Sequence, residues 1–242
     1  MAFFVSEHID SNKTVGVLGG MGPAATVDFM ATVVAMTPAR TDQDHVHLIV
    51  DNDPSIPPRQ DAILRGGADP GPAMASMAQR LQDAGADFLV MPCNTAHAFS
   101  KAVSDAVSIP LLSIIDVTVA ACRNHKKVGL LTTAACLKSG VYQEAMQALD
   151  KELVLPTDEE LTEFTELVFR IKQGDQSEPV AKGMLQMVDA LQTRGAQAII
   201  AGCTEIPLVL NKSMLDIPLV SSTDELARQT IAFAHGVSSI AP

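Results

Sequence analysis

Positive charge is scarce in this chain. Its 242 residues include 17 lysines and arginines against 28 aspartates and glutamates, which gives a formal net charge of −11. Binding to nucleic acid or to an anionic membrane requires a basic face that meets phosphates. The sequence therefore argues against both kinds of partner, and it leaves a small anionic substrate open wherever cations cluster locally.

Long apolar runs and a secretion signal are also missing. No apolar stretch approaches the roughly 20 residues of a membrane helix. Residues 1–14 lack the basic start and the apolar centre of a signal peptide. We therefore expect a cytoplasmic protein, and its apolar content of 47% suffices for one large or two small cored domains.

Closely spaced cysteine pairs are absent as well. The chain has four cysteines and no CxxC motif, so we expect reduced thiols rather than a disulfide framework or a zinc site. The four are Cys93, Cys122, Cys136 and Cys203.

What the sequence does contain is an alternation of short apolar runs with longer segments of helical period. This pattern is typical of βαβ units around a parallel sheet. It predicts strands at residues 15–18, 46–50, 87–91 and 109–115, helices at 24–36 and 100–107, and a proline-rich loop at 51–60. A further helix is introduced by the PGP break at 70–72 and runs through residue 83.

The pattern then starts again at a nearly constant offset. Cys203 lies 110 residues after Cys93, in the similar segments GADFLVMPCNT (85–95) and GAQAIIAGCTE (195–205). Two further pairs of strands repeat in register, at offsets of 113 and 108 residues. An internal duplication follows, so we predict an α/β fold of two pseudo-symmetric lobes. Each lobe would be a mostly parallel sheet flanked by helices, with the active site in the cleft between the lobes. The predicted lobes comprise residues 1–117 with 222–242, and residues 118–221.

The two repeated cysteines end equivalent strands and would face this cleft together. The first backbone amides after each strand are expected to point at the sulfur and to lower the thiol pKa from about 8.5 toward neutrality. Two such thiols suit a reaction on both faces of one carbon. Cys122 lies in a helical stretch and is predicted to pack, whereas the role of Cys136 stays open.

Two other chemistries fit the residues less well. A cysteine hydrolase would need a base such as His97, but this residue projects along the helix after Cys93 and is predicted to pack. The loop from Gly20 onward matches the loose G-x-G-x-x-A dinucleotide pattern, yet Pro23 removes one amide that would bind pyrophosphate. We expect neither reaction.

Four motifs together resemble the aspartate/glutamate racemase family. They are GGMGP (19–23), NDPSIPPR (52–59), MPCNTAHAF (91–99) and GCTEIP (202–207), and they cover nearly the whole chain in order. The resemblance is closest to aspartate racemases, because Glu205 stands where glutamate racemases usually carry histidine. It implies a racemase that needs neither pyridoxal phosphate nor any other cofactor, and that is commonly a homodimer.

The resemblance also implies roles for individual residues. Cys93 and Cys203 correspond to the two acid/base residues. Arg59 and Lys172 resemble the two cationic contacts to substrate carboxylates. The remaining expected substrate contacts are Met21, Asn94, Thr95, Ala96, Thr133 and Thr204. The segment TAAC (133–136) departs from the threonine and glycine that relatives tend to have at the second substrate loop.

The function predicted from the sequence is therefore the interconversion of L- and D-aspartate by two cysteines, with a small dicarboxylic amino acid as the partner. Racemisation of glutamate or of a broader range of amino acids stays open. So does a related isomerase, similar to maleate isomerase or hydantoin racemase, in which one cysteine attacks covalently. A catalytically silent amino-acid binding protein is the alternative outside enzymes.

Overall fold

The computed structural model describes residues 12–210 and 212–238. In these ranges the chain forms two four-stranded sheets whose neighbouring strands are all parallel. The strands are β1 (Val15–Gly19), β2 (Leu48–Asn52), β3 (Phe88–Val90), β4 (Leu111–Leu112), β5 (Lys127–Leu131), β6 (Glu152–Val154), β7 (Ala198–Ala201) and β8 (Leu219–Ser221).

Helices flank both sheets. They are α1 (Pro23–Met36), α2 (Arg59–Arg65), α3 (Gly71–Asp83), α4 (Ser100–Ser104), α5 (Ile114–Ala121), α6 (Ala134–Ser139), α7 (Val141–Ala148), α8 (Asp158–Lys172), α9 (Glu178–Thr193) and α10 (Ser222–Ala234). Short 3-10 helices lie at Asp42–Asp44, Thr95–Phe99, Ile206–Leu208 and Lys212–Met214. None of the helices in the described ranges is both long and apolar enough to cross a bilayer.

The two sheets have the same strand order, which confirms the predicted duplication. The first runs β2-β1-β3-β4 and the second runs β6-β5-β7-β8. In each sheet a cysteine follows one strand of the central pair, namely β3 in the first sheet and β7 in the second. All strands of a sheet point the same way. Because loops at the carboxyl ends of parallel strands form the ligand-binding edge, each lobe delivers one cysteine to such an edge.

The duplication extends to side-chain packing beneath the central strands. A Cβ atom built on Gly16 of β1 would lie 2.7 Å from the Leu89 side chain and 2.9 Å from the Ala86 Cβ. A Cβ atom on Gly129 of β5 would lie 2.6 Å from Ile199 and 3.2 Å from Ala196. The neighbouring strand and the turn before it, together with Leu81 of α3 or Leu191 of α9, therefore leave no room for a side chain at either glycine.

A tight turn joins β1 to α1 and brings Met21 into the cleft. Gly20 has φ of 88°, and a Cβ there would lie 2.2 Å from the carbonyl oxygen of Asp53. Only glycine suits that conformation and that close approach. Pro23 occupies the first turn of α1, where its missing N–H costs no hydrogen bond.

The strand predicted at residues 109–115 is wrong in its second half. Only Leu111 and Leu112 pair as β4, and α5 begins at Ile114. The Ser113 side chain accepts a hydrogen bond from the Asp116 backbone N–H and thereby caps the new helix. This local cap overrides the β-branched sequence that favoured a longer strand.

The loop predicted at residues 51–60 is shorter than expected at both ends. Asp51 and Asn52 complete β2, and Arg59 begins α2 directly after Pro58. Proline at residues 57 and 58 lacks an N–H donor, which the start of a helix tolerates. The consequence is functional, because α2 forms one wall of the cleft.

The last helix, α10, packs against α1 and α5 of the first lobe. Phe233 of α10 packs edge-on against Phe88 of β3, with ring centroids 4.6 Å apart. The carbonyl oxygen of Ala234 also accepts a hydrogen bond from the Lys13 N–H at 2.9 Å. The lobe boundary predicted after residue 117 falls inside α5, so a single helix connects the lobes there.

One apolar cluster spans both lobes. It includes Phe29 and Phe88 from the first lobe, Leu130 and Ile200 from the second, and Leu226 of α10. Their burial joins the sheets through a common core, and separate clusters fill the outer face of each sheet. Relative movement of the lobes would expose this shared apolar surface to water.

We predict that Gly129→Ala destabilises the fold by about 1–3 kcal/mol, because the added methyl overpacks the contact with Ile199. Gly16→Ala should cost a similar amount, since its surroundings repeat those of Gly129. The control is Gln192→Ala on the exposed side of α9, which should change stability by less than about 0.5 kcal/mol. Urea denaturation measures all three, and a Gly129→Ala protein as stable as the control would contradict the packing argument.

Candidate active site

A cavity of about 520 Å³ lies between the carboxyl ends of the two sheets. Both lobes and the helices α2 and α8 contribute to its walls. The lining residues are Met21, Pro58, Arg59, Gln60, Asp61, Leu64, Arg65, Cys93, Asn94, Thr95, Thr133, Thr165, Phe169, Lys172, Gly202, Cys203, Thr204 and Glu205. This is the size of a small-molecule site.

The two repeated cysteines both line this cavity. Cys93 follows β3 and Cys203 follows β7, and each is free and only 7% exposed. The other two cysteines are fully buried and do not line the cavity. Burial raises the pKa of Cys122 and of Cys136 to about 12, so both stay protonated at neutral pH. The packing predicted for Cys122 is confirmed, and Cys136 is likewise a buried thiol.

Cys203 lies in a cluster of charged groups. Its sulfur donates a hydrogen bond to Glu205 Oε2 at 2.9 Å, and Glu205 Oε1 forms an ion pair with Lys172 Nζ at 3.2 Å. Glu205 is buried, whereas the Lys172 side chain is 36% exposed. A buried carboxylate that is both ion-paired and hydrogen-bonded has its charge compensated.

This cluster reverses the pKa shift expected for Cys203. Burial raises the pKa of the Cys203 thiol well above its ordinary value, and the negative charge of Glu205 raises it further. The backbone N–H of Glu205 and the Lys172 ammonium act in the opposite direction but do not compensate. The prediction that strand-end amides favour thiolate at Cys203 is therefore wrong, because desolvation and a neighbouring carboxylate outweigh them.

Lys172 is influenced by the same groups. Burial alone would lower the pKa of its ammonium, but the negative charge of Glu205 and the hydrogen bond to it raise the pKa overall. Lys172 is thus a cation at neutral pH. It stands at the last turn of α8, where a positive charge also interacts favourably with the helix dipole.

Arg59 is held by backbone carbonyls. Its guanidinium donates to the carbonyl oxygens of Ile56 at 3.3 Å, Pro57 at 3.1 Å and Met21 at 3.1 Å. Within the described ranges no carboxylate forms an ion pair with it, whereas the neighbouring Arg65 pairs with Asp61. The guanidinium is therefore fixed in orientation and keeps its charge for an anionic ligand.

The loop after Cys93 connects the lobes through polar side chains. Asn94 is 3% exposed and takes part in two buried hydrogen bonds, with Tyr142 and Ser222. Thr95 Oγ1 lies 3.1 Å from Thr133 Oγ1, across the cavity floor. Because each bond joins different segments of the chain, the loop has little freedom to move.

His97 packs beneath the site, as its position predicted. One ring nitrogen lies 2.9 Å from the Cys93 carbonyl oxygen, and the other accepts from the Ile114 N–H at 3.2 Å. Burial lowers the pKa of His97 to about 4, so the ring is neutral. It contacts the Cys93 backbone and does not line the cavity, so it is not placed as a base for a cysteine hydrolase.

Nine of the ten residues expected at the site line the cavity. Ala96 is the exception, since its side chain is fully buried in the apolar cluster of the first lobe. No group of three or more His, Cys, Asp or Glu side chains in the described part of the chain is arranged to bind a metal ion.

Several lining residues escaped the sequence analysis. Thr165 and Phe169 share a face of α8 with Lys172, at spacings of four and three residues, and this helical spacing could have revealed them. Glu205 was noted only as a marker of the aspartate branch. Its contact with Cys203 depends on the turn that follows β7, which the sequence pattern does not specify.

Comparison with known proteins agrees with this geometry. The family model for Asp/Glu/Hydantoin racemase matches residues 18–230. The solved structure of Picrophilus torridus aspartate racemase superimposes with a TM-score of 0.83 at 30% identity, covering 92% of this chain and 94% of that one.

Curated relatives are racemases with more than one specificity. The chain is 28% identical over 228 residues to the broad specificity amino-acid racemase RacX of Bacillus subtilis (strain 168), a match that covers 90% of the chain and 96% of the relative. It is 32% identical over 165 residues to a glutamate racemase of Corynebacterium glutamicum, covering 64% of the chain and 58% of the relative. The family predicted from the four motifs is confirmed. The chain therefore belongs to the Asp/Glu/hydantoin racemase family of isomerases.

Proposed function

We propose that the protein interconverts L- and D-aspartate without a cofactor, using Cys93 and Cys203 as its two acid/base groups. The observation that carries this proposal is the presence of both thiols in the wall of one cavity, at equivalent strand ends of two duplicated lobes. Inversion of a carbon requires proton removal on one face and delivery on the other. The likeness to an aspartate racemase at 30% identity supports the choice of substrate.

The two cysteines start in different states in this mechanism. Cys203 begins as a thiol, since burial and Glu205 raise its pKa. Cys93 acts as the thiolate and takes the α-proton, and Cys203 then gives its own proton to the opposite face. The charge left on the Cys203 sulfur is stabilised by Lys172, whose ammonium lowers the pKa of that thiol. The reverse reaction exchanges the two roles.

Cations of the cavity stabilise the charge that develops when the proton leaves. The α-proton of an amino acid is very weakly acidic, so the enolate must be stabilised by preorganised groups. Arg59 is oriented by three carbonyl oxygens and would bind one substrate carboxylate. Lys172 has three donors, so it can hold Glu205 and a second carboxylate together.

A second candidate is racemisation of a broader range of amino acids. Leu64 and Phe169 line the cavity although they are 37% and 51% exposed, so the entrance offers apolar contacts to a longer side chain. The relative described as a broad specificity racemase supports this candidate. A panel of L-amino acids, each assayed for its D-enantiomer without added cofactor, separates the two.

A homodimer stays part of the proposal. Light scattering should give twice the mass of the 25.6 kDa chain, and a mass equal to a single chain would contradict it.

Replacing either thiol should stop inversion. Cys93→Ala and Cys203→Ala should each lower racemisation by about 10³-fold or more, because one face of the α-carbon loses its acid or base. Each variant should still exchange the α-proton of one enantiomer with deuterium from solvent, and the two variants should differ in which enantiomer exchanges. Cys122→Ala, away from the cavity, is the control.

Full racemisation by both single variants would disprove the two-cysteine mechanism. A covalent substrate adduct on Cys93, detected by mass spectrometry, would indicate covalent catalysis instead.

Glu205→Gln should make Cys203 more reactive. Loss of the negative charge removes one cause of the raised thiol pKa, so more thiolate forms at a given pH. We expect alkylation of Cys203 by iodoacetamide, monitored by peptide mass spectrometry, to shift to lower pH. Glu166→Gln, exposed on α8, is the matched control. An unchanged pH profile for Cys203 would contradict the role given to Glu205.

Lys172→Met tests recognition of the second carboxylate. We expect KM for L-aspartate to rise about tenfold or more, because a charge-assisted hydrogen bond to the substrate is lost. KM for a neutral amino acid that the enzyme also accepts should change less. Lys182→Met, exposed on α9, should leave both constants unchanged. Equal changes in KM for both substrates would show that Lys172 does not bind the side-chain carboxylate.

A further inference from the structure

A continuous chain of buried hydrogen bonds runs beneath the cavity from one lobe to the other. The Tyr142 hydroxyl of α7 donates to Asn94 Oδ1 at 2.7 Å, and Asn94 Nδ2 donates to Ser222 Oγ at 3.0 Å. The Ser222 hydroxyl then donates to the Ala201 carbonyl oxygen at 2.8 Å. Tyr142 and Ser222 are fully buried, and Asn94 is 3% exposed.

Two members of this chain, Asn94 and Ala201, lie close in sequence to the two cysteines. Asn94 directly follows Cys93, at the end of β3 in the first sheet. Ala201 is the last residue of β7 in the second sheet and lies two residues before Cys203. The hydrogen bonds therefore tie the loop that carries one thiol to the strand that carries the other.

The donors and acceptors leave this chain only one arrangement. Ser222 uses its single proton on Ala201, so it can only accept from Asn94. Tyr142 has one proton and gives it to the Asn94 carbonyl oxygen, which fixes the orientation of the amide. A flipped amide could still donate to the Tyr142 hydroxyl oxygen, but its own oxygen would face Ser222, whose proton is used on Ala201, so one buried hydrogen bond would be lost.

We propose that Tyr142 and Ser222 are positioning residues that hold Asn94 and thereby fix the spacing between the two sulfur atoms. This inference rests on the proposed two-cysteine function. Neither residue lines the cavity, so each acts through Asn94 rather than on the substrate. A change in spacing of about 1 Å is enough to slow an oriented reaction by about 10²-fold.

The spacing between the two sulfur atoms affects removal of the α-proton and inversion of the α-carbon differently. Removal of the α-proton needs one sulfur in contact with the carbon, whereas inversion needs both. When the second sulfur is displaced, the carbanion more often regains a proton from the face that lost it. In deuterated water the recovered substrate then gains deuterium without inverting, once the first thiol has exchanged its proton with solvent.

Tyr142 also supplies a spectroscopic signal that reports on the network. The chain has one tyrosine and no tryptophan, so tyrosine fluorescence reports on Tyr142 alone. Removal of the Ser222 hydroxyl, which belongs to the same buried network, should change that fluorescence. Loss of a buried hydroxyl elsewhere in α10 should not.

The experiment compares Tyr142→Phe and Ser222→Ala with Thr230→Val. Thr230 is a fully buried residue of α10 whose hydroxyl bonds to the Leu226 carbonyl oxygen within the helix. L-aspartate is incubated in deuterated water, and deuterium in the remaining L-form is compared with the D-form produced. We expect this ratio to rise about tenfold or more in the two network variants, with the wild-type value in Thr230→Val.

If both network variants kept the wild-type ratio of deuterated L-aspartate to D-aspartate, the positioning role would be overturned. A fall in total activity would not change that conclusion, because a smaller folded fraction lowers activity without altering the ratio. Unchanged tyrosine fluorescence in Ser222→Ala would also overturn the positioning role, and this variant carries the test alone if Tyr142→Phe does not fold. The wild-type enzyme separates the two proposals. Its failure to racemise or to exchange aspartate would remove the proposed function, whereas normal wild-type activity with unchanged ratios would remove only the inference.

Discussion

A buried amide needs hydrogen-bond partners, and Asn94 meets this need with groups that come after the first sheet in the chain. Its carbonyl oxygen accepts from Tyr142 and its NH₂ group donates to Ser222. An unpaired amide in a dry interior would cost about 1–3 kcal/mol. The lobes therefore cannot shift along each other without breaking these bonds, and the shared apolar core opposes the same movement. The cleft geometry depends on this constraint.

The site concentrates positive charge in an otherwise acidic protein. Arg59 is neutralised by no carboxylate in the described chain, and Lys172 shares its charge with the buried Glu205. Backbone carbonyls orient Arg59 without cancelling its charge, whereas the charge of Lys172 interacts with Cys203. The two cations are therefore not equivalent. One can serve as a fixed anchor, and the other responds to the protonation state of the thiol beside it.

The sequence allowed prediction of the architecture and of most of the site, because repeated strands and strand-end motifs depend on local patterns. Cys93 and Cys203 were predicted from this repeat, whereas the prediction of Arg59 rested on the family resemblance of the NDPSIPPR motif. The pKa direction of Cys203 was not, because it depends on desolvation and on the Glu205 carboxylate, which are properties of packing. The sequence pattern assigns Ile114 to a strand because it lies in a β-branched run. In the structure a single capping serine starts a helix at this residue instead. The interlobe bonds of Tyr142 could not be foreseen, since they join residues 48 positions apart in different elements.

The return of α10 to the first lobe bears on how the chain is made. Phe233 of α10 packs against Phe88 of β3, and the strands of the second sheet lie in one continuous segment between them. During synthesis on the ribosome, the second lobe has all of its strands before the first lobe receives its last helix. The lobe that is translated first is thus the one that is finished last, and until α10 is made it exposes an apolar surface that this helix will cover.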